Sequence, residues 1–143
     1  MGNKTGMNVA GLLYLLQKAP NGFPFRIRLQ KMVLLGKLEF KFPFTFKYES
    51  HYYGPYSARL QSLLSDLITG GVVNEDVVEL SNDRTGFVYS LTSAGKRILA
   101  TSKLPTMQTK KLDDLWSQFH DKTTEYLVKM AKEKSGIKSR HEK

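Results

Sequence analysis

Three histidines are the side chains best suited to acid–base or metal chemistry, and they lie far apart in the chain. They are His51, His120 and His141, and the sequence has no cysteine. Zinc sites in proteins are built from clustered His and Cys side chains, and no such spacing occurs here. Ser57 has no neighbouring sequence typical of an activated nucleophile. The sequence therefore predicts no catalytic residue, no metal ligand and no cofactor-binding residue, and we expect a protein that is not an enzyme.

The charge of the chain favours an acidic partner. It has 22 Lys and Arg against 13 Asp and Glu, which gives a net charge of +9 and a pI near 9.7. Nucleic acid, an anionic membrane surface and an acidic protein would each be attracted by such a field. Residues 1–56 hold eight Lys or Arg and two Glu, whereas residues 57–104 hold five of each sign. The positive field therefore comes from the N-terminal third and the C-terminal tail.

Long apolar runs are missing from the sequence. The longest run near the N-terminus, Leu12 to Leu16, is too short for the core of a signal peptide or for a membrane span. We therefore expect a cytoplasmic protein that has no membrane partner.

The segment from 58 to 69 carries the clearest secondary-structure signal. Its apolar residues recur at helical spacing, at Leu60, Leu63, Leu64, Leu67 and Ile68. Gly54 or Ser57 can cap the start of this helix, and Gly70 is expected to end it in the left-handed conformation. The segment therefore predicts an amphipathic helix with one face in the core.

Two strands and a short helix are predicted after this helix. Alternating apolar and polar residues predict strands over 72–80 and 87–91, joined by a polar loop with Arg84 at its tip. Thr92 or Ser93 then caps the next helix. Because a helix, a hairpin and a helix form the core of a winged helix-turn-helix, we predict an α+β protein of that kind.

Further elements flank this predicted core. Asn8 can cap a first helix, and a second helix is expected over 25–41. The alternation of Phe44, Phe46 and Tyr48 predicts an inserted strand before the third helix. An apolar stripe over 110–134 predicts one long C-terminal helix, which either packs on the domain or forms a homodimer. We therefore expect a winged-helix domain at 1–104, a C-terminal helix at 105–134 and a disordered basic tail at 135–143.

Double-stranded DNA is the partner that this predicted fold and charge favour. In a helix-turn-helix protein the recognition helix reads base edges, while nearby cations contact phosphates. We expect Arg59, Gln61 and Ser62 to face the major groove, and Arg84 to reach the minor groove or a phosphate. The predicted phosphate contacts on the second helix are Arg26, Arg28 and Lys31. The function predicted first is therefore a DNA-binding transcriptional regulator.

Two motifs carry a resemblance to known proteins. The sequence LQKMVLL at 29–35, followed by a strand, YGPYS at 53–57 and the helix at 58–69, resembles the Panacea-type proteins (SocA-like antitoxins) and their YwgA-like relatives. YSLTSAG at 89–95 is similar to the wing-to-helix passage of winged-helix regulators. The first resemblance implies an antitoxin- or adaptor-like protein-interaction module, with Tyr52, Tyr53 and Tyr56 as the partner-binding residues. About fifteen residues separate Lys41 from Pro55, a longer connection than a standard helix-turn-helix has.

RNA binding is a third hypothesis. Aromatic residues alternate with lysines between Phe40 and Tyr56. Aromatic side chains interleaved with cations can stack on unpaired bases. A preference for single strands over duplex would be typical of this function.

Overall fold

The chain folds around its second helix, which is buried along most of its length. The structure, a computed structural model, describes residues 4–81 and 84–140, with side chains from residue 6, and these residues form an α+β arrangement. The helices are α1 (Lys4–Lys18), α2 (Arg26–Phe40), α3 (Ala58–Thr69), α4 (Ser93–Ser102), α5 (Thr106–Phe119) and α6 (Thr124–Ser135). The strands are β1 (Phe23–Pro24), β2 (Glu49–His51), β3 (Gly54–Tyr56), β4 (Val73–Leu80) and β5 (Arg84–Leu91).

The strands form two small antiparallel sheets. The first has the order β1-β5-β4, with Phe23 opposite Tyr89 and Val73 opposite Leu91. The second is the β2–β3 hairpin, in which Ser50 lies opposite Pro55. The predicted polar connection between β4 and β5 includes residues 82 and 83, which lie outside the described residues. Arg84, predicted at the tip of that loop, is the first residue of β5.

Helix α3 begins and packs as its sequence predicts, and one detail of its end differs. Ser57 accepts a hydrogen bond from the backbone N–H of Leu60 at 3.2 Å and so caps the first turn. Leu60 and Leu64 are both buried in the core. Gly70 has a φ of −79°, whereas Gly71 has a φ of 77°. The left-handed residue after α3 is therefore Gly71 and not Gly70, one position further along the chain.

The predicted strand at 44–48 pairs with no strand among the described residues. Phe42, Phe44 and Phe46 are buried, while the residues between them are exposed. The side-chain amide of Asn8 bridges to the hydroxyl and backbone N–H of Thr45 at 2.8 and 3.0 Å. Asn8 therefore lies within α1 and holds this segment, and it does not cap a first helix. Because the phenylalanine rings fill the core, they offer no platform on which RNA bases could stack.

The predicted long C-terminal helix is wrong, because the chain turns back between residues 120 and 123. Thr123 caps α6 by accepting a hydrogen bond from the N–H of Tyr126 at 3.0 Å. The apolar stripe of α5 and α6 is covered by α2 of the same chain. Its fully buried members are Leu112, Leu115, Phe119, Leu127 and Ala131. The stripe is thus part of the protein's own core, and this face is not available for the predicted homodimer.

The predicted disordered tail is also wrong for the residues that the structure describes. The backbone N–H of Arg140 donates to the carbonyl oxygen of His51 at 2.7 Å, and the hydroxyl of Ser50 donates to the carbonyl oxygen of Lys138 at 2.6 Å. Ser139 is buried. Residues 136–140 therefore pack along β2, and residues 141–143, including His141, lie outside the described residues.

Candidate functional site

Two adjoining cavities open beside the first two turns of α2. The smaller has a volume of about 250 Å³ and lies between α2, the β2–β3 hairpin and α3; we call it the Lys31 pocket. The larger, about 750 Å³, runs between α2, the β4–β5 hairpin and α6; we call it the hairpin groove. Both are bordered by Arg26, Ile27 and Tyr53. The two cavities are therefore neighbouring parts of one concave surface.

Lys31 forms the buried end of the smaller pocket. Its side chain is 2% exposed, and its Nζ donates a hydrogen bond to the carbonyl oxygen of Pro55 at 2.8 Å. Burial is the main cause that lowers the pKa of Lys31 to about 8, and the positive charge of Lys132 on α6 contributes to the same shift. The predicted contact of Lys31 with a DNA phosphate is therefore wrong, because its ammonium group lies at the buried end of a small pocket and not on an exposed surface.

Gln30 fixes the position of the hairpin and of α3 relative to α2. Its side-chain Nε2 donates to the carbonyl oxygen of Ser57 at 2.9 Å, and its Oε1 accepts from the Ser57 N–H at 2.8 Å. Both residues are buried, so these two bonds satisfy backbone groups that water cannot reach. The junction that carries the YGPYS motif is thereby held rigidly against α2.

Arg26 is bound within the protein by an acidic and an aromatic side chain. Its guanidinium donates to Glu75 at 2.8 Å and to the hydroxyl of Tyr89 at 2.7 Å, and it lies 4.7 Å from the centre of the Phe87 ring. The hydrogen bond to Glu75 raises the pKa of Arg26, and the same bond lowers the pKa of Glu75. Its positive charge is therefore already balanced within the molecule.

Arg28 links α2 to the junction of α5 and α6. Its guanidinium donates to the hydroxyl of Thr124 at 3.2 Å and to the carbonyl oxygen of His120 at 3.3 Å. Only 8% of the residue is exposed, and burial lowers the pKa of its guanidinium. The predicted contact of Arg28 with a DNA phosphate is therefore also wrong, because its guanidinium is buried and donates to Thr124 and His120.

The remaining predicted DNA contacts lie closer to the surface but do not form one cluster. Arg59 and Ser62 are exposed on α3, whereas Gln61 is half-buried and borders the Lys31 pocket. Arg84 is exposed and borders the hairpin groove. These side chains are thus divided between an exposed helix face and the two cavities.

The three tyrosines of the second hypothesis occupy different positions on the hairpin. Tyr52 and Tyr53 are 58% and 66% exposed. Tyr56 is half-buried and stacks on His51, with 4.4 Å between ring centres. The guanidinium of Arg140 lies 5.0 Å from the centre of the Tyr52 ring. Tyr53 is the one of the three that borders both cavities.

The hairpin groove has apolar walls and a basic rim. Its walls include Phe25, Leu80, Phe87 and Val128, and its rim carries Arg84, Lys129 and Lys132. Glu125 is the acidic side chain among the described lining residues. The residues from α6 were not predicted from the sequence, because it left open whether the C-terminal stripe packs on the domain or on a second copy.

Phe25, at the wall of this groove, has a strained backbone conformation. Its φ is 70° and its ψ is 135°, a conformation that a residue with a side chain rarely adopts. Such outliers cost about 1–3 kcal/mol and persist where the surrounding structure imposes them. The N–H of Phe25 donates to the carbonyl oxygen of Phe87 at 2.8 Å, and Gly86 leaves room for the Phe25 ring. The wall of the groove is therefore held in a costly but fixed geometry.

Within the described residues there is neither a metal-binding cluster nor a membrane-spanning helix. No group of three or more His, Cys, Asp or Glu side chains among them is arranged to hold a metal ion. No helix within these ranges has both the length and the apolar character needed to cross a bilayer.

Comparison with known proteins gives one relative to report. No model of a known protein family matches the sequence. The chain is similar to YwgA of Bacillus subtilis (strain 168). The two are 38% identical over 85 residues, which cover 58% of this chain and 50% of YwgA, a protein described as uncharacterized. The chain therefore spans about half the length of that curated relative. The similarity supports the YwgA-like part of the predicted resemblance.

Proposed function

We propose that this protein is a winged-helix module that binds another protein through the hairpin groove. The order of elements supports the winged helix, since α1, β1, α2, α3, β4 and β5 follow one another in that sequence. The sheet order β1-β5-β4 places β5 between a short first strand and its hairpin partner, as in that fold. The β2–β3 hairpin is then an insertion between the second and third helices. It supplies Tyr53 to the groove, which a simple winged helix would lack.

The electrostatics of α3 favour a protein partner over DNA. Its two charged side chains, Arg59 and Asp66, are both exposed and have opposite signs. Affinity for DNA comes mainly from cations that neutralise phosphates. Arg28 and Lys31 are buried, and Arg26 is paired with Glu75. The region beside α3 therefore presents fewer accessible cations than the net charge of +9 implies.

The composition of the hairpin groove is the observation that carries the proposal. Exposed apolar side chains line a cavity of about 750 Å³, beside a rim of basic residues. Contiguous apolar surface with a polar rim is typical of sites that bind proteins or ligands. A partner segment with apolar side chains flanked by acidic ones fits both features. This is a module of the adaptor or antitoxin kind that the Panacea-type resemblance implies.

The experiment is capture of the partner from the native host with matched surface variants. We expect the immobilised protein to retain one partner in stoichiometric amount, and Tyr53→Ala and Leu80→Ser each to release it. Met107→Ser is the control, because Met107 is 67% exposed on α5 and does not border the groove. Circular dichroism checks that all three variants keep the fold. Failure to recover a stoichiometric partner, or equal loss in the control, would contradict the proposal.

Duplex DNA is the second candidate partner, because Arg59 and Arg84 are exposed on the helix and hairpin that a winged helix presents to DNA. Fluorescence anisotropy of a labelled random duplex, at low and near-physiological salt, tests it with a matching single strand alongside. Binding that falls steeply with salt and is weakened by Arg84→Ala would favour a DNA-binding regulator. Lys103→Ala, at an exposed position directly after α4 that borders neither cavity, is the control for general loss of charge.

A further inference from the structure

The ammonium group of Lys31 has donors that the protein does not use. An ammonium carries several N–H donors, and within the described residues one hydrogen bond, to Pro55, is formed. Its side chain is among the largest fully buried ones in the protein. The described residues that line the Lys31 pocket include no Asp or Glu. A buried positive charge therefore belongs to the lining of a cavity whose described residues carry no negative charge.

A purely structural role does not explain this arrangement. A hydrogen bond to the Pro55 carbonyl could be made by a neutral donor, without the cost of removing a charge from water. Buried charges in proteins are normally paired or bound to an ion. The lowered pKa of Lys31 reports the same cost, yet a value of about 8 leaves the amine mostly protonated at neutral pH. The ammonium group is therefore a buried cation that lacks a counter-ion among the described residues of the pocket.

The other walls of the pocket restrict the shape of that anion. His51 and Tyr56 stack with 4.4 Å between ring centres and 25° between ring planes, and both line the cavity. Gln61 on α3 adds a half-buried amide, and Ile27 adds an apolar surface. The volume of about 250 Å³ equals the liquid volume of roughly eight water molecules at ~30 Å³ each. This space suits a small planar organic ion.

We infer that the Lys31 pocket binds a carboxylate, with Lys31 as its cation and with His51 and Tyr56 as a flat wall for the group that bears it. A carboxylate is favoured over a phosphate because a phosphate needs many donors at once, whereas Arg26 is already bonded to Glu75 and Gln30 to Ser57. The positive charge of Lys132, which acts on Lys31 from α6, adds to the attraction. This site does not depend on the protein partner proposed above.

Two kinds of molecule carry such a carboxylate: a free organic acid, and a peptide with an acidic side chain. Sodium benzoate is the probe for the first, and N-acetyl-glutamate N-methylamide is the probe for the second. Each is titrated into the isotope-labelled protein while amide resonances are followed by NMR. We expect saturable shifts at His51, Tyr56 and Gln61 with at least one probe, and the tighter probe assigns the source. Benzyl alcohol, which keeps the ring and lacks the charge, should give no saturable shift.

Matched variants decide whether Lys31 holds the ligand. Lys31→Met should weaken carboxylate binding by at least about tenfold, as expected for loss of a hydrogen bond to a charged group. Lys18→Met removes a lysine of α1 outside the pocket and should leave binding unchanged. Gln61→Leu changes the wall of the pocket on a partly exposed surface, and as a second, independent variant it should also weaken binding. Unchanged affinity in Lys31→Met and Gln61→Leu, or no saturable shift with either carboxylate, would overturn the inference. Equal binding of benzyl alcohol would also overturn it.

Discussion

Two lysines of this protein differ in whether a carboxylate compensates their positive charge and in how deeply they are buried. Lys18, at the contact of α1 with α5, is half-buried, and its Nζ lies 2.9 Å from Asp113 Oδ1. Tyr14 donates to the same carboxylate oxygen at 2.7 Å. Burial raises the pKa of Asp113, but the hydrogen bonds from Tyr14 and Lys18 outweigh it and hold that pKa below its ordinary value. Lys18 and Asp113 therefore form an ion pair at a site where water still reaches both side chains.

Lys31 lies deeper than Lys18, and no carboxylate among the described residues compensates its positive charge. It is 2% exposed, and the described residues give it one neutral hydrogen-bond acceptor and no carboxylate. Placing the ion pair at the more exposed site and the unpaired ion in the interior is the reverse of what stability alone favours. The ion pair of Lys18 therefore contributes to holding α1 against α5, whereas the unpaired charge of Lys31 costs stability.

The largest effect is expected from reversing the buried charge. Lys31→Glu would place a carboxylate against the Pro55 carbonyl oxygen, and we expect it to lower the free energy of unfolding by about 3–5 kcal/mol. Lys18→Glu is the control, because its carboxylate would remain partly exposed beside Asp113 and should cost much less. Urea denaturation measures both variants. Equal losses would show that the two sites do not differ in burial as described.

The next largest effect is expected beside the pocket, at Gln30. Gln30→Leu removes two buried hydrogen bonds and leaves the N–H of Ser57 unsatisfied, while the carbonyl oxygen of Ser57 keeps the bond from the N–H of Gln61 at 3.2 Å. We expect a loss of about 2–4 kcal/mol in the free energy of unfolding. The control is Gln17→Leu, at an exposed position of α1. A loss below about 1 kcal/mol at Gln30 would mean that water replaces both partners.

A smaller effect, of opposite sign, is expected from neutralising Lys31 and should depend on pH. The pKa of Lys31 in the folded protein, about 8, lies below its ordinary value of 10.5. Between these values the unfolded chain binds more protons, so stability rises with pH. Lys31→Met should therefore be more stable than the wild type at pH 7, by an amount on the order of 2 kcal/mol that disappears towards pH 10.

Chemical denaturation at pH 7, 8, 9 and 10 measures this difference. The pKa of Tyr14 and of Tyr89 is raised to about 12, mainly by burial, so their effects fall at the alkaline end and are shared by both proteins. They cancel in the comparison of wild type with variant. A difference that does not change with pH would contradict the pKa shift as its cause.

The smallest effects are expected where Lys18 and Tyr14 bind Asp113. Lys18→Met should lower the free energy of unfolding by less than about 1 kcal/mol, because a partly exposed ion pair is screened by water. Tyr14→Phe should cost about 1 kcal/mol through loss of its hydrogen bond to Asp113. Thermal unfolding at low and high salt measures both, and the Lys18→Met effect should shrink at high salt. A stabilising effect of Lys18→Met would remove the contrast with Lys31.

The sequence predicted the elements whose signals are local. The spacing of Leu60 and Leu64, the Ser57 cap and the alternation in β5 are set by neighbours within one turn or one strand pair. The same kind of signal failed at 44–48, because alternating burial is shared by a paired strand and by an irregular segment that packs on the core outside any sheet. It failed again at 110–134, because apolar residues recur at helical spacing on both sides of a polar turn at 120–123, and this spacing does not show that the helix ends there.

The sequence by itself determined that the chain is basic, that it has no cysteine chemistry and that α2 is apolar at its centre. The tertiary structure alone decided which of the α2 cations are buried and what covers them. Lys31 meets Pro55 across 24 positions of sequence, and Arg28 meets Thr124 across 96. Local patterns report contacts within a turn or two, whereas burial of these groups depends on how the inserted hairpin and α6 close over α2. The Lys31 pocket is therefore a property of the fold, built from residues whose own neighbours in the sequence give no sign of it.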